Sequence, residues 1–401
     1  MKSFGKILAL FLACLLILGT FAGCAAKGKT LMQLEKEKMS VNVFYLFLSR
    51  MKGNLSTSSA YGTSAYNDSF WDTLMDTSGT TYGTYYTDLM LENAKTYLAA
   101  LALFEERDLK LPKETLNAID EELEEILENE WDGSKNDFNA KLAEFGANYE
   151  ILREAKIIEA KIEYLRDDLF GTDGSKIGAK LKDDYYEKNY RRFKQMFFYT
   201  YKFVTEIDQT TGEEKILTDS NGYPMTEEMT EAEIRNVLDR ATEAYGKAVL
   251  DNEPSFLDAY KNGASAHGDA GVFDAMLPEK NDKGKYVYNE DTGMQTYTGG
   301  YYITAETEYD SPEVVKALFE MEVGEIRVIR SEYGIHIVRR YENEESGYAK
   351  DENADFFASF VNDLEDVLLT DYLAPYKEKV TVHEEVYATV SIKDVTPNLQ
   401  Y

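Results

Sequence analysis

Few residues in this sequence could do covalent or metal chemistry, and their placement narrows the choice. There are two cysteines, Cys14 and Cys24, and three histidines, His267, His336 and His383. Both cysteines fall within the first 24 residues. The body of the chain therefore has no thiol for a disulfide, and its fold must rest on buried apolar surface. Five carboxylates, Glu121, Glu122, Glu124, Glu125 and Glu128, share one side of a helix that follows Pro112. Acids so spaced could hold a cation, but on a helix they are expected to form a solvated face. His336 lies in an apolar strand-like segment, where it can satisfy a buried hydrogen bond or serve a substrate; both readings stand. His383 is expected at the surface. No metal or cofactor is expected.

The elements that position these residues follow an export signal. Lys2 and Lys6 precede an apolar run from Ile7 to Leu18. That run is too short to cross a bilayer as a helix, which takes about 20 residues. It ends in Gly19-Thr20-Phe21-Ala22-Gly23-Cys24, a basic, apolar, small-residue order that describes a secretory signal. The ending resembles the lipobox of bacterial lipoproteins, with Phe21 where that family usually has Leu. The resemblance implies that Cys24 is acylated and becomes the new N-terminus, tethering the chain outside the cytoplasm. Two acyl chains hold a protein stably at a membrane, whereas one does not. Losing residues 1–23 removes Lys2, Lys6 and no acid, so the net charge moves from −30 to −32. So acidic a chain is repelled by nucleic acid and by anionic lipid. With 44% hydrophobic and 13% aromatic residues, it can bury a sizeable core, and 401 residues suggest two or three domains.

Periodicity predicts helices, then strands, then helix again. Val41–Leu48 reads as a buried helix or a strand–helix junction, and residues 53–84 as an extended surface loop rich in Ser, Thr, Gly and Tyr. Helices are expected from Tyr85 (Leu91, Ala94, Leu98 and Leu101 on one face), after Pro112, over Phe138–Phe145, over Tyr149–Phe170 and over Gly178–Tyr190. Met196–Val204 is aromatic and β-branched and predicts a strand. A polar hairpin-like insert (206–228) and a helix (230–250) follow, then a short helix Ser255–Tyr260 and a Gly-rich loop. A second insert (275–308) precedes helix 312–321 and strands Ile326–Arg330 and Ile335–Tyr341. A helix Ala354–Lys379 and a strand Val380–Val395 close the chain.

Three segments then carry a family resemblance. Gly268-Asp269-Ala270-Gly271-Val272-Phe273 resembles the Gly-Asp-Leu-Gly-x-Phe signature of the parvulin-type (PpiC) peptidyl-prolyl isomerases. Residues Ala317–Ile326 resemble the family's Ala-Phe-x-Leu-x-x-Gly-Glu segment, and Tyr333-Gly334-Ile335-His336-Ile337-Val338 its closing strand. Signal, helical region, single parvulin-like domain and terminal helix together resemble the PrsA-type extracytoplasmic foldase lipoproteins. The helix around Tyr97–Leu109 is similar to the SurA chaperone. The resemblance implies an α+β fold, a helical chaperone-like region (24–193 and 346–401) interrupted by a parvulin domain (194–345) with a four-stranded sheet.

It also implies a site. Prolyl isomerisation needs no covalent step, because the barrier of about 18–20 kcal/mol is lost amide resonance. It needs an apolar grip on the proline ring and polar groups that favour the twisted amide. By resemblance, His336 is the second of the family's paired histidines and Ser331 its hydroxyl residue. Tyr201 stands where the first histidine is expected, and His267 is a possible substitute for it. Ala270, Phe273 and Val314 fall on or beside the substrate-binding positions, the family's Met position falls near Asp310, and Asp258 is one candidate for its Cys/Asp position. The implied function is a membrane-anchored foldase that binds unfolded, newly exported, proline-containing chains and isomerises their prolyl bonds. A holdase without catalysis is the alternative in the same setting. A solute-binding lipoprotein is the alternative from another class, but the chain lacks the alternating strand–helix order of two doubly wound lobes.

Overall fold

In the computed structural model, the described residues are 28–58, 61–207, 212, 214–220, 222–250, 281, 285, 288, 301–307, 311–354 and 356–401. They are mixed helix and sheet and divide into two compact units. The first comprises the residues up to Lys176 together with Glu365–Tyr401, and the second is Ile177–Leu364. These crossings fall at 176/177 and 364/365, against the expected 193/194 and 345/346.

The first unit starts with β1 (Thr30–Leu34) and β2 (Glu37–Ser40), and α1 (Val41–Thr57) follows without a linker. Ser40 makes that switch possible, since its hydroxyl accepts from Val43 N–H at the helix start. Then come α2 (Tyr82–Glu106), α3 (Lys113–Trp131), α4 (Lys135–Ala143) and α5 (Tyr149–Phe170). The ends of α5 are locally determined. Asn148 caps the N-terminus by accepting from Ile151 N–H, and Gly171 ends it at φ +74°. One continuous core runs through Leu31, Phe44, Leu98, Leu123, Phe138 and Leu152. The five glutamates of α3 are exposed, with Leu123 buried among them. Residues 53–84 are not an extended loop: α1 continues to Thr57, two short helical turns follow, and Trp71 is buried against Phe70 and Tyr86. Aromatic burial organises this stretch without a periodic pattern. The expected strand Val380–Val395 shrinks to Thr381–Val382, which pairs with β1, and the rest holds two single-turn helices, Glu384–Tyr387 and Ile392–Asp394.

The second unit begins with α6 (Ala179–Asn189) and β3 (Tyr190–Tyr199). Two small ribbons follow, from β4 (Tyr201–Phe203), β5 (Thr205–Ile207), β6 (Glu214–Ile216) and β7 (Thr226–Glu228). Then come α7 (Glu231–Ala248), β8 (Tyr301–Thr304), α8 (Pro312–Glu320), β9 (Ile326–Arg330) and β10 (Gly334–Tyr341). The helix Phe360–Lys377 contains the second crossing. Within this unit, Phe357 and Phe360 pack on Tyr186 and Tyr190.

The main sheet is antiparallel, in the order β8-β3-β10-β9. Side chains alternate between its faces. Met196, Phe198, Ile335 and Ile337 point to one face, under Val237, Ala241, Ala244 and Ala248 of α7. Phe193, Ile303, Ile329 and Val338 point to the other, under Val314, Val315 and Leu318 of α8. The strand expected over Met196–Val204 begins six residues earlier and breaks at Thr200. The charged residues Arg191, Arg192 and Lys194 hid its first half. Residues 301–304, assigned to the 275–308 insert, are the sheet's fourth strand.

Candidate functional site

The site develops on the α8 face of the sheet, just beyond the apolar core. On β10, His336 lies opposite Phe197 of β3 and Ile329 of β9. Its ring stacks on Phe197, with centroids 4.3 Å apart and planes inclined by 16°. Gly334 makes room for this stack, since a Cβ there would lie 2.7 Å from the Phe197 ring and 2.2 Å from the Phe198 carbonyl oxygen.

Three neutral side chains hold the imidazole. Gln195 Oε1 lies 3.0 Å from Nδ1, while Ser331 Oγ and Ser311 Oγ lie 2.8 Å and 3.2 Å from Nε2. With the amide oxygen facing it, Nδ1 must carry the proton, which leaves Nε2 to accept from the hydroxyls. No carboxylate is among these partners, and burial pushes the His336 pKa down to about 4. The ring is therefore neutral at physiological pH. It is 2% exposed, and Gln195 and Ser311 are also buried. Of the four residues, only Ser331 reaches the surface. Its hydroxyl accepts from Tyr333 N–H at 3.3 Å and donates to His336. A remaining lone pair can accept from a bound chain.

From Phe197, aromatic rings continue along the chain. Centroid distances are 4.8 Å to Tyr199, 4.8 Å from Tyr199 to Tyr201, and 5.5 Å from Tyr201 to Phe203. Tyr199, Tyr201 and Phe203 are half-buried, so this ladder forms an apolar track leading away from the polar network.

The structure thus brings Ser331 and His336 together. Tyr201 lies on β4, at the far part of the ladder, and it is Phe197 that faces His336. Val314 has no exposed surface and packs in the α8 core, so it presents nothing to a substrate in this conformation. Ala270, Phe273, Asp310, Asp258 and His267 lie outside the described residues, as does Cys24. Sequence reasoning missed Gln195, Ser311 and Phe197. A polar Gln195 beside the apolar run Met196–Tyr199 was the available signal, because a buried polar group needs a partner. Among the described residues, no group of three His, Cys, Asp or Glu could hold a metal, and no helix is long and apolar enough to cross a membrane.

No protein-family model matches the chain, and no curated protein does. Solved structures similar to it include the foldase protein PrsA from Lactococcus lactis, at 12% identity and TM-score 0.21 over 90% of this chain and 97% of that one. Others are peptidylprolyl isomerase (PrsA) from Bacillus anthracis, at 13% and 0.23 over 72% and 96%, and from Bacillus cereus, at 14% and 0.25 over 77% and 90%. The chain resembles PrsA foldases.

Proposed function

We propose that the chain is a lipid-anchored extracytoplasmic foldase that binds unfolded exported polypeptides, with the surface around Ser331, backed by His336, as its prolyl-isomerase site. The observation that carries this reading is the 2.8 Å hydrogen bond between His336, on the inner strand β10 of a four-stranded antiparallel sheet, and Ser331, in the turn that joins the edge strand β9 to β10. A neutral imidazole orients a surface hydroxyl there, and aromatic rings offer an apolar track beside it. That pairing suits an amide that must leave planarity without making or breaking a covalent bond. Tyr201 contributes to the apolar track, and its hydroxyl is a second polar group along it. Cys24 carries the lipid anchor, and Cys24→Ser releases the protein from the membrane fraction.

The test is isomerisation of a short proline peptide by the wild type, His336→Ala and Ser331→Ala, beside suppression of aggregation of an unfolded client. Activity lost in both variants, with suppression retained, supports the site. Failure of the wild type in both assays would refute the foldase reading. One observation favours a second reading, a holdase without catalysis: His336 itself is only 2% exposed. Suppression without isomerisation selects it.

A further inference from the structure

The β4–β7 segment between the sheet and α7 has an architecture of its own. Three backbone hydrogen bonds close a ring at its branch point: Val204 N–H to Met225 O (2.9 Å), Met225 N–H to Leu217 O (2.8 Å) and Leu217 N–H to Val204 O (2.8 Å). From this junction β4 pairs with β7, β5 pairs with β6, and a third arm folds back where Thr218 bridges Pro224. Asp219 Oδ1 tightens that third arm by accepting from Tyr223 N–H at 3.0 Å.

Local pairing holds this structure open to solvent with large apolar side chains on its surface. Ile216 and Met225 are each 43% exposed, Ile207 63% and Tyr223 70%. Thr205 faces Ile216 across the ribbon and Ile207 lies two residues further on, so the two isoleucines share a face. Four such residues in one short segment are more than scattered surface apolarity requires. The same segment is strongly acidic: residues 201–228 hold seven acids against Lys202 and Lys215, a formal charge of −5.

We infer that this three-armed ribbon is a docking surface for extended polypeptide segments that combine cationic and large apolar side chains. Charge complementarity selects that occupant. A second copy would set −5 against −5, and an anionic membrane surface would be repelled likewise. The inference rests on the foldase reading and names the client chemistry, placing first capture on the ribbon, which connects through Tyr201 and Phe203 to the aromatic ladder.

The experiment uses the protein without its signal and two labelled, proline-free synthetic peptides with the same leucines and tyrosines. One carries lysines between them and the other glutamates. Fluorescence anisotropy should show the lysine peptide bound at least ten-fold more tightly at low salt, with the difference shrinking as salt rises. The exposed-residue variant Ile207→Ser/Ile216→Ser/Tyr223→Ser/Met225→Ser should lose roughly ten-fold in affinity. Glu206→Lys/Glu228→Lys should erase or reverse the charge preference while circular dichroism stays unchanged. Equal binding of the two peptides, or full binding by the serine variant, overturns the proposal. So does a wild-type dimer that the serine variant abolishes, or binding to phosphatidylglycerol vesicles that requires the ribbon. A proline tetrapeptide too short to span ribbon and site separates the two readings. Its isomerisation should be unchanged in the serine variant, and its absence in wild type counts against the isomerase site alone.

Discussion

The two units each bury an ionisable side chain, and they use it in opposite ways. In the first unit, Lys52 of α1 is 3% exposed and donates to the carbonyl oxygens of Ile392 at 3.0 Å and Val395 at 2.7 Å, with its ammonium 5.5 Å from the Trp71 ring. Burial lowers its pKa, and nearby Asp68 and Asp394 oppose that shift. Every contact is to the protein itself. The lysine fastens the closing segment to α1, where Asn398 also comes so close that Gly53 has no room for a Cβ. In the second unit, the buried group is a neutral histidine, and one of its hydroxyl partners is turned outward. A buried cation with its partners in place is a staple. A buried neutral acceptor with a partner at the surface can serve as a site.

The comparison would break first at Lys52. Lys52→Met leaves two buried carbonyl groups without their donor, at about 2 kcal/mol each, so denaturant unfolding of the first unit should lose about 4 kcal/mol. Unchanged stability would mean that the lysine staples nothing.

The second unit should be the acid-sensitive one. The folded pKa of His336 lies below the unfolded value near 6.5, so the stability it contributes is complete above that value. This stability declines as pH falls from 6.5 towards about 4, by on the order of 3 kcal/mol, and does not decline further below that for this group. Chemical denaturation at several pH values should show this slope, and His336→Asn should flatten it. The same slope in the variant would assign the titration to another group.

Smaller effects sharpen the account of the network. Gln195→Leu removes the acceptor of the Nδ1 proton, leaves that donor buried, and should cost about 2 kcal/mol. Its diagnostic readout is the imidazole nitrogen chemical shifts, which should show a changed tautomer ratio; unchanged shifts would remove Gln195 as the group that positions the ring. Ser331→Ala should cost only about 1 kcal/mol, because its hydroxyl is partly solvated, while removing most of any isomerase activity. Full activity in that variant would place the polar half of the site elsewhere.

Helices with local signals could be read from the sequence almost to the residue. The range Tyr149–Phe170 is the observed α5, because an Asn cap and a left-handed glycine act within a few residues of the ends they define. The closing strands, too, were legible from β-branched runs and the tight turn between them. The pairing of Ser331 with His336 came from the family resemblance, and the turn between β9 and β10 is what brings them within 2.8 Å. The rest of the network was not legible in the sequence. Gln195 is 141 residues from His336 and Ser311 is 25, and only the register of β3 on β10 and the seat of α8 bring them together. That register likewise puts Phe197 opposite the histidine, where the sequence offered Tyr201. The sequence by itself determined composition, charge, most helices and the closing strands. Tertiary structure alone decided which buried polar groups meet, because hydrogen-bond partners across a sheet are chosen by strand pairing and not by distance along the chain.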